Sequence, residues 1–445
     1  MALVEITGVE RYAGTGRVTG FSIDLPAIGS ISEKYYFELA GWAVSKEPLA
    51  GVRVRHHDTV LREVAINSPR ADVQQKFPHL DAPERCGFWT GVGVVGLPEA
   101  CELVIDVDFG DGSRECLAAI ALRREPLPAS SPDLLRPLLL TSLARTGTTW
   151  LMRLLAELPN VVVYRDYPFE VRASSYWLHM LRVLSDPANY EFSTHPDSFA
   201  QDFATIGHNP AFLVHTYGFG NDILGREYPE ELGRLVARFT DRYYRHVAAA
   251  QGQPTPTFFA EKYNPGHIPR LAWELYPNAK EIFLVRDLRD VFCSLLAVNA
   301  QRSEMMFGRD EVGSDSQYID AIARDAQVLL DEWQARKDRA LLVRYEALVR
   351  DPAKVLHSIA KYLGAGTLLE IERAVALASA DAGALASHRT SASHIGSIGR
   401  WRRDLHPELR DAAREAFDPI LREFGYRIPK RKSAREPNSA VLPSP

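Results

Sequence analysis

Cysteine is scarce in this chain: four in 445 residues, at Cys86, Cys101, Cys116 and Cys293. So few, with no C-x-x-C spacing, exclude a disulfide framework and give no zinc site, so no metal is expected. Cys293 reads as a buried helix residue rather than a nucleophile. No apolar run approaches the roughly 18 residues needed to span a bilayer. The start, MALVEITGVERYAG, has no basic segment ahead of an apolar one, so no secretory leader is expected and the cytoplasm is the expected location. Positive charge is not in excess either. A net charge of −5 gives no electrostatic case for nucleic acid as a partner. No internal repeat is evident.

What is present divides near residue 130. The stretch Arg123 to Arg136, RREPLPASSPDLLR, has the proline and serine content of a linker, assigned to residues 126–136. Ahead of it the pattern is β. Leu103, Ile105, Val107 and Phe109 alternate with Glu102, Val104, Asp106 and Asp108, and Gly110-Asp111-Gly112 reads as a turn. Several such short strands predict a small all-β, sandwich-like domain over residues 1–125. Within it Trp42, Phe88 and Trp89 suit either a core or a sugar-stacking face, the core being the commoner use. His56-His57-Asp58 reads as an exposed strand end rather than a metal site. After the linker comes a second domain, residues 137–429, followed by a basic, then Pro/Ser-rich tail over 430–445 expected to be disordered.

The most informative stretch is Thr141 to Trp150, TSLARTGTTW. It follows the apolar run Pro137 to Leu140 and precedes Leu151, Leu154, Leu155 and Leu158 at helical spacing. Strand, tight turn and helix in that order turn backbone N–H groups and a helix N-terminus toward an anion, usually a phosphate. A triphosphate-cleaving P-loop has Gly, four residues, then Gly-Lys-Ser/Thr. Here Ser142 stands at the first glycine and Thr148 at the lysine, and the cation is Arg145. The loop suits a phosphate but not the cutting of a triphosphate.

This pattern resembles the 5′-phosphosulfate loop of sulfotransferases that use 3′-phosphoadenosine-5′-phosphosulfate (PAPS): Arg145, Thr146, Gly147, Thr148, Thr149 and Trp150 fit position by position. A second stretch agrees. In KEIFLVRDLRDVFCSLLA, Lys280 to Ala297, the buried-strand run Ile282 to Val285 ends at Arg286, and Ser294 follows eight residues on. The family places its 3′-phosphate there, where a guanidinium fork suits a dianion. The plain alternative is an Arg286–Asp287 or Arg289–Asp290 ion pair on a solvated turn. A third stretch, SHIGSIGRWRRDL from Ser393, resembles the basic, glycine-containing loop that closes the family's nucleotide site. Gly396 and Gly399 permit close backbone approach, Arg400 and Arg402 are candidates for the 3′-phosphate, and Trp401 either joins them or anchors the loop in the core. The Arg-Lys-Gly of cytosolic members is missing from it. Ala340 to Leu363 supplies scaffold: strand Leu341 to Val343, then a helix capped by Asp351 with Pro352 in its first turn.

The resemblance covers roughly residues 137–427 and implies a three-layer α/β/α fold with a central parallel sheet, PAPS as co-substrate and sulfuryl transfer to a hydroxyl or amine of a small-molecule or carbohydrate acceptor. It implies Arg145 at the bridging oxygen and N–H groups of Thr146 to Thr149 on the 5′-phosphate. The N-terminal part resembles accessory β domains ahead of some bacterial transferases, and its expected roles are binding carbohydrate, mediating a homodimer, or covering one side of the transferase. For the general base, Glu170 leads, by its place just after the run Val161 to Val163. Asp166 and His267 compete. Lys262, in a stretch where Tyr263 replaces the family's usual Thr, points at the sulfate. Acceptor choice is expected between Ala173 and Pro256, which carries Tyr176, Trp177, His179, Phe203, His208, Phe212, His215, Tyr217 and Phe219. Two rival readings stand beside this: a P-loop small-molecule kinase, and a non-catalytic carbohydrate- or partner-binding protein.

Overall fold

A computed structural model describes residues 2–12, 16–78, 80, 85–187, 223–253, 255–302, 305–364, 366–380, 390–391 and 393–428. Phe203, His208, Phe212, His215, Tyr217, Phe219 and the 430–445 tail lie outside the described residues.

The first part of the chain is antiparallel β. In chain order its strands are β1 (Val4–Arg11), β2 (Val18–Leu25), β3 (Ile31–Ser32), β4 (Tyr36–Ser45), β5 (Leu49–His56), β6 (Thr59–Val64), β7 (Ser68–Pro69), β8 (Arg85–Gly93), β9 (Ala100–Phe109) and β10 (Arg114–Arg124), with one short helix, α1 (Ala71–Lys76). They form one sheet in the order β3-β1-β10-β9-β5-β6 and another in the order β2-β4-β8-β7. The alternation along β9 works as read: Leu103, Ile105 and Val107 are fully buried, meeting Leu39, Phe88 and Val92 of the other sheet in one core. The β9–β10 turn closes through Asp111, whose carboxylate accepts the Ser113 N–H at 2.8 Å. Trp42 and Phe88 are core residues.

From Arg136 the chain becomes α/β. Five parallel strands, β11 (Arg136–Thr141), β12 (Val161–Val162), β13 (Phe258–Tyr263), β14 (Lys280–Val285) and β15 (Leu341–Arg344), lie in the order β12-β13-β11-β14-β15. Both faces are covered, which is why Leu138 to Leu140 of β11 and Ile282 to Val285 of β14 are apolar runs rather than alternating. Leu138, Leu140, Phe258, Ala260, Ile282 and Leu284 pack against α2 (Thr148–Ala156), whereas Leu139, Phe259 and Phe283 face the opposite layer. That opposite layer holds α3 (Ala173–Ser185), α4 (Tyr228–Ala250), α5 (His267–Leu275), α6 (Leu288–Gln301) and α7 (Asp315–Arg336). The chain completes with α8 (Tyr345–Arg350), α9 (Pro352–Leu363), α10 (Leu368–Ala380), α11 (Trp401–Asp404) and α12 (Pro407–Glu423). Helix α9 starts as its sequence requires, with Asp351 accepting the Lys354 N–H at 3.0 Å and Leu356, Ile359, Ala360 and Leu363 facing inward. Among the described residues no helix is long and apolar enough to cross a membrane.

The two parts share a core. Leu97, Leu122 and Leu127 pack in one cluster with Leu181, Val236, Leu271 and Trp273. Residues between them are tied down: Ser130 N–H donates to Leu275 O at 2.8 Å and Leu135 N–H to Asp241 at 2.8 Å. Buried Arg124 pairs with Glu274 across the seam and donates to Leu97 O at 2.7 Å. One expectation is corrected here. His56 is not an exposed strand end but is buried at this seam, its Nδ1 3.0 Å from His267 Nε2, because β5 runs its last residue under α5.

Candidate nucleotide and transfer site

Strand β11 is the centre of the sheet, with β13 and β14 on either side. The chain builds one flank, then crosses to the other, and open α/β sheets bind ligands at the carboxyl ends of strands at such a reversal. Residues leaving β11, β13 and β14 there are Ser142 to Gly147, Lys262 and Arg286.

The turn after β11 is shaped by two left-handed residues. Gly147 caps α2 at φ +95°, and a Cβ there would lie 2.4 Å from the Tyr345 ring, so only glycine fits. Arg145 takes φ +65° without being glycine, a strained conformation of the kind that functional sites retain. Thr146 stiffens the turn, its hydroxyl donating to Leu143 O at 2.9 Å. The first N–H groups of α2 have no intrahelical acceptor and point out of this turn.

On the β14 side the loop meets the two other stretches singled out in the sequence. Arg145 Nε donates to Ser294 Oγ at 3.1 Å, and Ser294 Oγ lies 3.2 Å from Thr390 Oγ1. Arg400 reaches the same threonine, with Nη1 2.9 Å from Oγ1 and 3.0 Å from its carbonyl. Arg286 donates to Arg145 O and Ser397 O, each at 2.9 Å, and lies 4.4 Å over the Tyr345 ring. Its Nε is buried with no partner among the described residues. Burial, then neighbouring Arg286, Arg302 and Arg400, hold the Arg145 pKa below its usual value. Arg400 is also paired with Asp404 at 2.7 Å, and the guanidinium cluster with the buried Arg286 Nε suits an anion.

The solvated-turn alternative does not describe this segment. Arg286, Arg289 and Asp290 are buried, Arg289 pairs with Asp287 and Asp418, and Asp290 accepts the Gly399 and Trp401 N–H groups. Trp401 is buried 4.2 Å under the Arg289 guanidinium. Arg402 is exposed against the outer face of that indole, at 4.7 Å. Gly399 takes φ +72°. Trp150 stacks with His394, with ring centroids 6.0 Å apart.

On the β13 side, Lys262 Nζ is 3.0 Å from Thr149 Oγ1, 2.8 Å from Pro168 O and 3.1 Å from Glu170 Oε1. The ammonium is nearly enclosed, and burial lowers its pKa while Glu170 draws it back up. Glu170 is half exposed, at 51%. Phe169 beside it is held at φ +62°. His267 is elsewhere: its two ring nitrogens face His56 and Arg182 at the seam, and burial drives its pKa well below the usual range. Asp166 takes part in a local turn, its carbonyl accepting the Phe169 N–H at 2.8 Å.

Four residues here carry no local sequence signal. Tyr345, Thr390, Ser397 and Asp290 join the cluster only through the tertiary fold, although Thr390 and Ser397 flank the basic, glycine-containing stretch. Among the described residues no group of three or more His, Cys, Asp or Glu side chains is placed to hold a metal ion.

Beyond Glu170 an open groove of about 670 Å³ is lined by Val171, Arg172, Ser175, Tyr176, Trp177 and His179 with Tyr243.

Known proteins share parts of this sequence. The chain is 26% identical over 178 residues to carbohydrate sulfotransferase 3 of Tetronarce californica, which is 37% of this chain and 40% of that protein. It therefore spans well under half the length of that curated relative. Among solved structures, the sulfotransferase STF9 from Mycobacterium avium aligns over 67% of this chain and 79% of its own, at 18% identity and a TM-score of 0.34. The mouse sulfotransferase SULT7A1 complexed with PAP aligns over 64% and 84%, at 15% identity and a TM-score of 0.34. The model of the sulfotransferase family matches residues 137–367, over half of the 445 and all of the sheet described above, so the chain belongs to the sulfotransferase family.

Proposed function

We propose that this protein transfers a sulfuryl group from PAPS to a hydroxyl of a carbohydrate acceptor, an amine being the lesser alternative. The observation that carries it is the convergence of Arg145, Arg286, Ser294, Thr390 and Arg400 on one cationic pocket beside the β11 turn, where the Arg286 Nε has no partner among the described residues. The residues fit the co-substrate: the α2 N-terminus for its 5′-phosphate, and Arg286, Ser294 and Arg400 for its 3′-phosphate.

Bound there, PAPS would supply a sulfuryl group on a good leaving phosphate, chemistry in which positioning and charge stabilisation outweigh covalent work by the protein. Arg145 and the N–H groups of Thr146 to Thr149 neutralise charge gathering on the departing nucleotide. Lys262, fixed between Thr149 and Glu170, carries positive charge to the transferring group without reorganising. Glu170 takes the acceptor proton during attack. Its carboxylate is one ammonium away from the first turn of α2, the only competing carboxylate or histidine so placed among Glu170, Asp166 and His267.

The acceptor then lies in the groove that begins at Val171. Tyr176 is 64% exposed there, and Trp177 packs edge-on against Phe239 and Tyr243. An apolar alcohol needs enclosure, since small-ligand pockets bury most of their ligand. An open groove with aromatic faces and polar tips suits a sugar ring instead. The relative's name points to the same acceptor class. The test is release of 3′-phosphoadenosine-5′-phosphate (PAP) from PAPS with a panel of saccharides and phenols. Acceleration by saccharides, lost by about a hundredfold or more in Arg145→Ala, is expected. Acceleration by phenols alone would overturn the acceptor reading, and none by any acceptor would overturn the activity.

A further inference from the structure

The segment 393–402 crosses the nucleotide pocket as a strap, and its attachment is unusual. Asp290, in the first turn of α6, is fully buried. One of its oxygens accepts the Gly399 N–H at 2.6 Å and the other the Trp401 N–H at 3.0 Å. These are the residues on either side of Arg400, so one carboxylate fixes both ends of the backbone that carries this guanidinium. We infer that Asp290 is a positioning residue for nucleotide recognition, holding the strap so that Arg400 and Ser397 meet Thr390, Ser294 and Arg286 around the 3′-phosphate. The inference rests on the donor reading above and assigns a residue that has no contact with the ligand itself.

Two further observations support it. Gly399 is in the left-handed region at φ +72°, so the strap bends at a residue that few other side chains serve well. The carboxylate is also matched to two backbone donors rather than to a cation. Asp290 has no ion pair among the described residues, because Arg289 beside it is taken by Asp287 and Asp418. Burial, with Asp287 adding repulsion, pushes its pKa up to about 6. The two N–H bonds and Arg286 draw that pKa back down, and together they offset the burial of the charge. What the charge provides is an acceptor at both oxygens. Asparagine has one.

The discriminating variant is therefore Asp290→Asn in the full chain. PAP affinity is expected to fall about tenfold, the loss of one charge-assisted N–H bond, while AMP affinity changes less than about twofold. KM for PAPS rises with kcat nearly unchanged. The thermal midpoint falls modestly, because one buried N–H loses its acceptor, and amide hydrogens of 399–402 exchange faster without nucleotide. Gly399→Ala, which disturbs the strap and leaves the carboxylate, reproduces the PAP loss. Equal losses for PAP and AMP would show a merely structural aspartate. Unchanged exchange and PAP affinity would overturn the inference outright. Wild-type protein that does not distinguish PAP from AMP, with exchange still quickened by Asp290→Asn, would instead overturn the donor reading beneath it.

Discussion

Lys262 and Glu170 form an ion pair at 3.1 Å in which the lysine is 4% exposed and the glutamate 51%. The same ammonium is 3.0 Å from Thr149. One buried cation thus ties a solvent-facing carboxylate to the first turn of the helix that would hold the 5′-phosphate. The pair puts a proton acceptor and a charge stabiliser on the same side of the loop, opposite the guanidinium cluster.

Glu170→Gln is accordingly expected to lower kcat by about a hundredfold to ten-thousandfold, the usual yield of general-base catalysis. PAP affinity should stay near wild type. Asp166→Asn should retain most activity. Steady-state kinetics with parallel nucleotide titrations check this, and full activity in Glu170→Gln would remove Glu170 from the role.

Lys262→Met separates stability from activity. Burial lowers the Lys262 pKa, so the charge already costs the fold something, and an apolar chain of similar length should be tolerated without a drop in thermal midpoint. Transfer should nonetheless be lost. Activity in the wild type should also decline at alkaline pH earlier than an ordinary lysine would cause, as the ammonium deprotonates below its usual range. Rate against pH, beside calorimetric melting, reads both effects.

Glu261 predicts a stability profile. It is buried, accepts the Ser174 N–H at 2.7 Å and the Ser175 N–H at 3.1 Å, and burial pushes its pKa up to about 7. The folded state therefore binds this proton more tightly than the unfolded chain, whose carboxyl has its ordinary value of 4.5. Its contribution is fully present below that ordinary value and is lost as pH rises through about 7. Buried, neutral His56 and His267 contribute stability that grows as pH rises over the same window, so the effect is read as a difference. From pH 5 to pH 8 the melting temperature of wild type should drop relative to that of Glu261→Gln. Parallel pH profiles for the two proteins would contradict the assignment.

Across the seam, Arg124→Ala should cost about 3 kcal/mol, since it leaves Glu274 buried without its cation. Because Leu97, Leu122 and Leu127 share a core with Leu181 and Leu271, the β part and the α/β part should melt in one transition. Two resolved transitions in calorimetry would show the shared core to be weak.

Sequence and structure correspond most closely where chemistry is local. The apolar run before Ser142, the glycine at 147, the end of β14 ahead of Arg286 and the Asp351 cap each follow from a few adjacent residues, and each stands where expected. The left-handed Arg145 and Phe169 were not legible, because only glycine or asparagine advertises that conformation. Nor was the burial of His56, which depends on α5 arriving from more than two hundred residues away. For Asp290 the sequence offered only the plain alternative of an ion pair with Arg289. Its partners are instead two backbone N–H groups, which no side-chain pattern encodes.

The most direct test of the account is a calorimetric titration of the full chain with PAP, ADP and AMP, repeated with Arg286→Ala. The pocket around Arg286, Ser294 and Arg400 predicts that PAP binds most tightly and that the variant loses roughly tenfold to a hundredfold for PAP alone, as expected for hydrogen bonds to a charged group. Binding of ADP as tight as PAP, or a variant that keeps the preference, would contradict it.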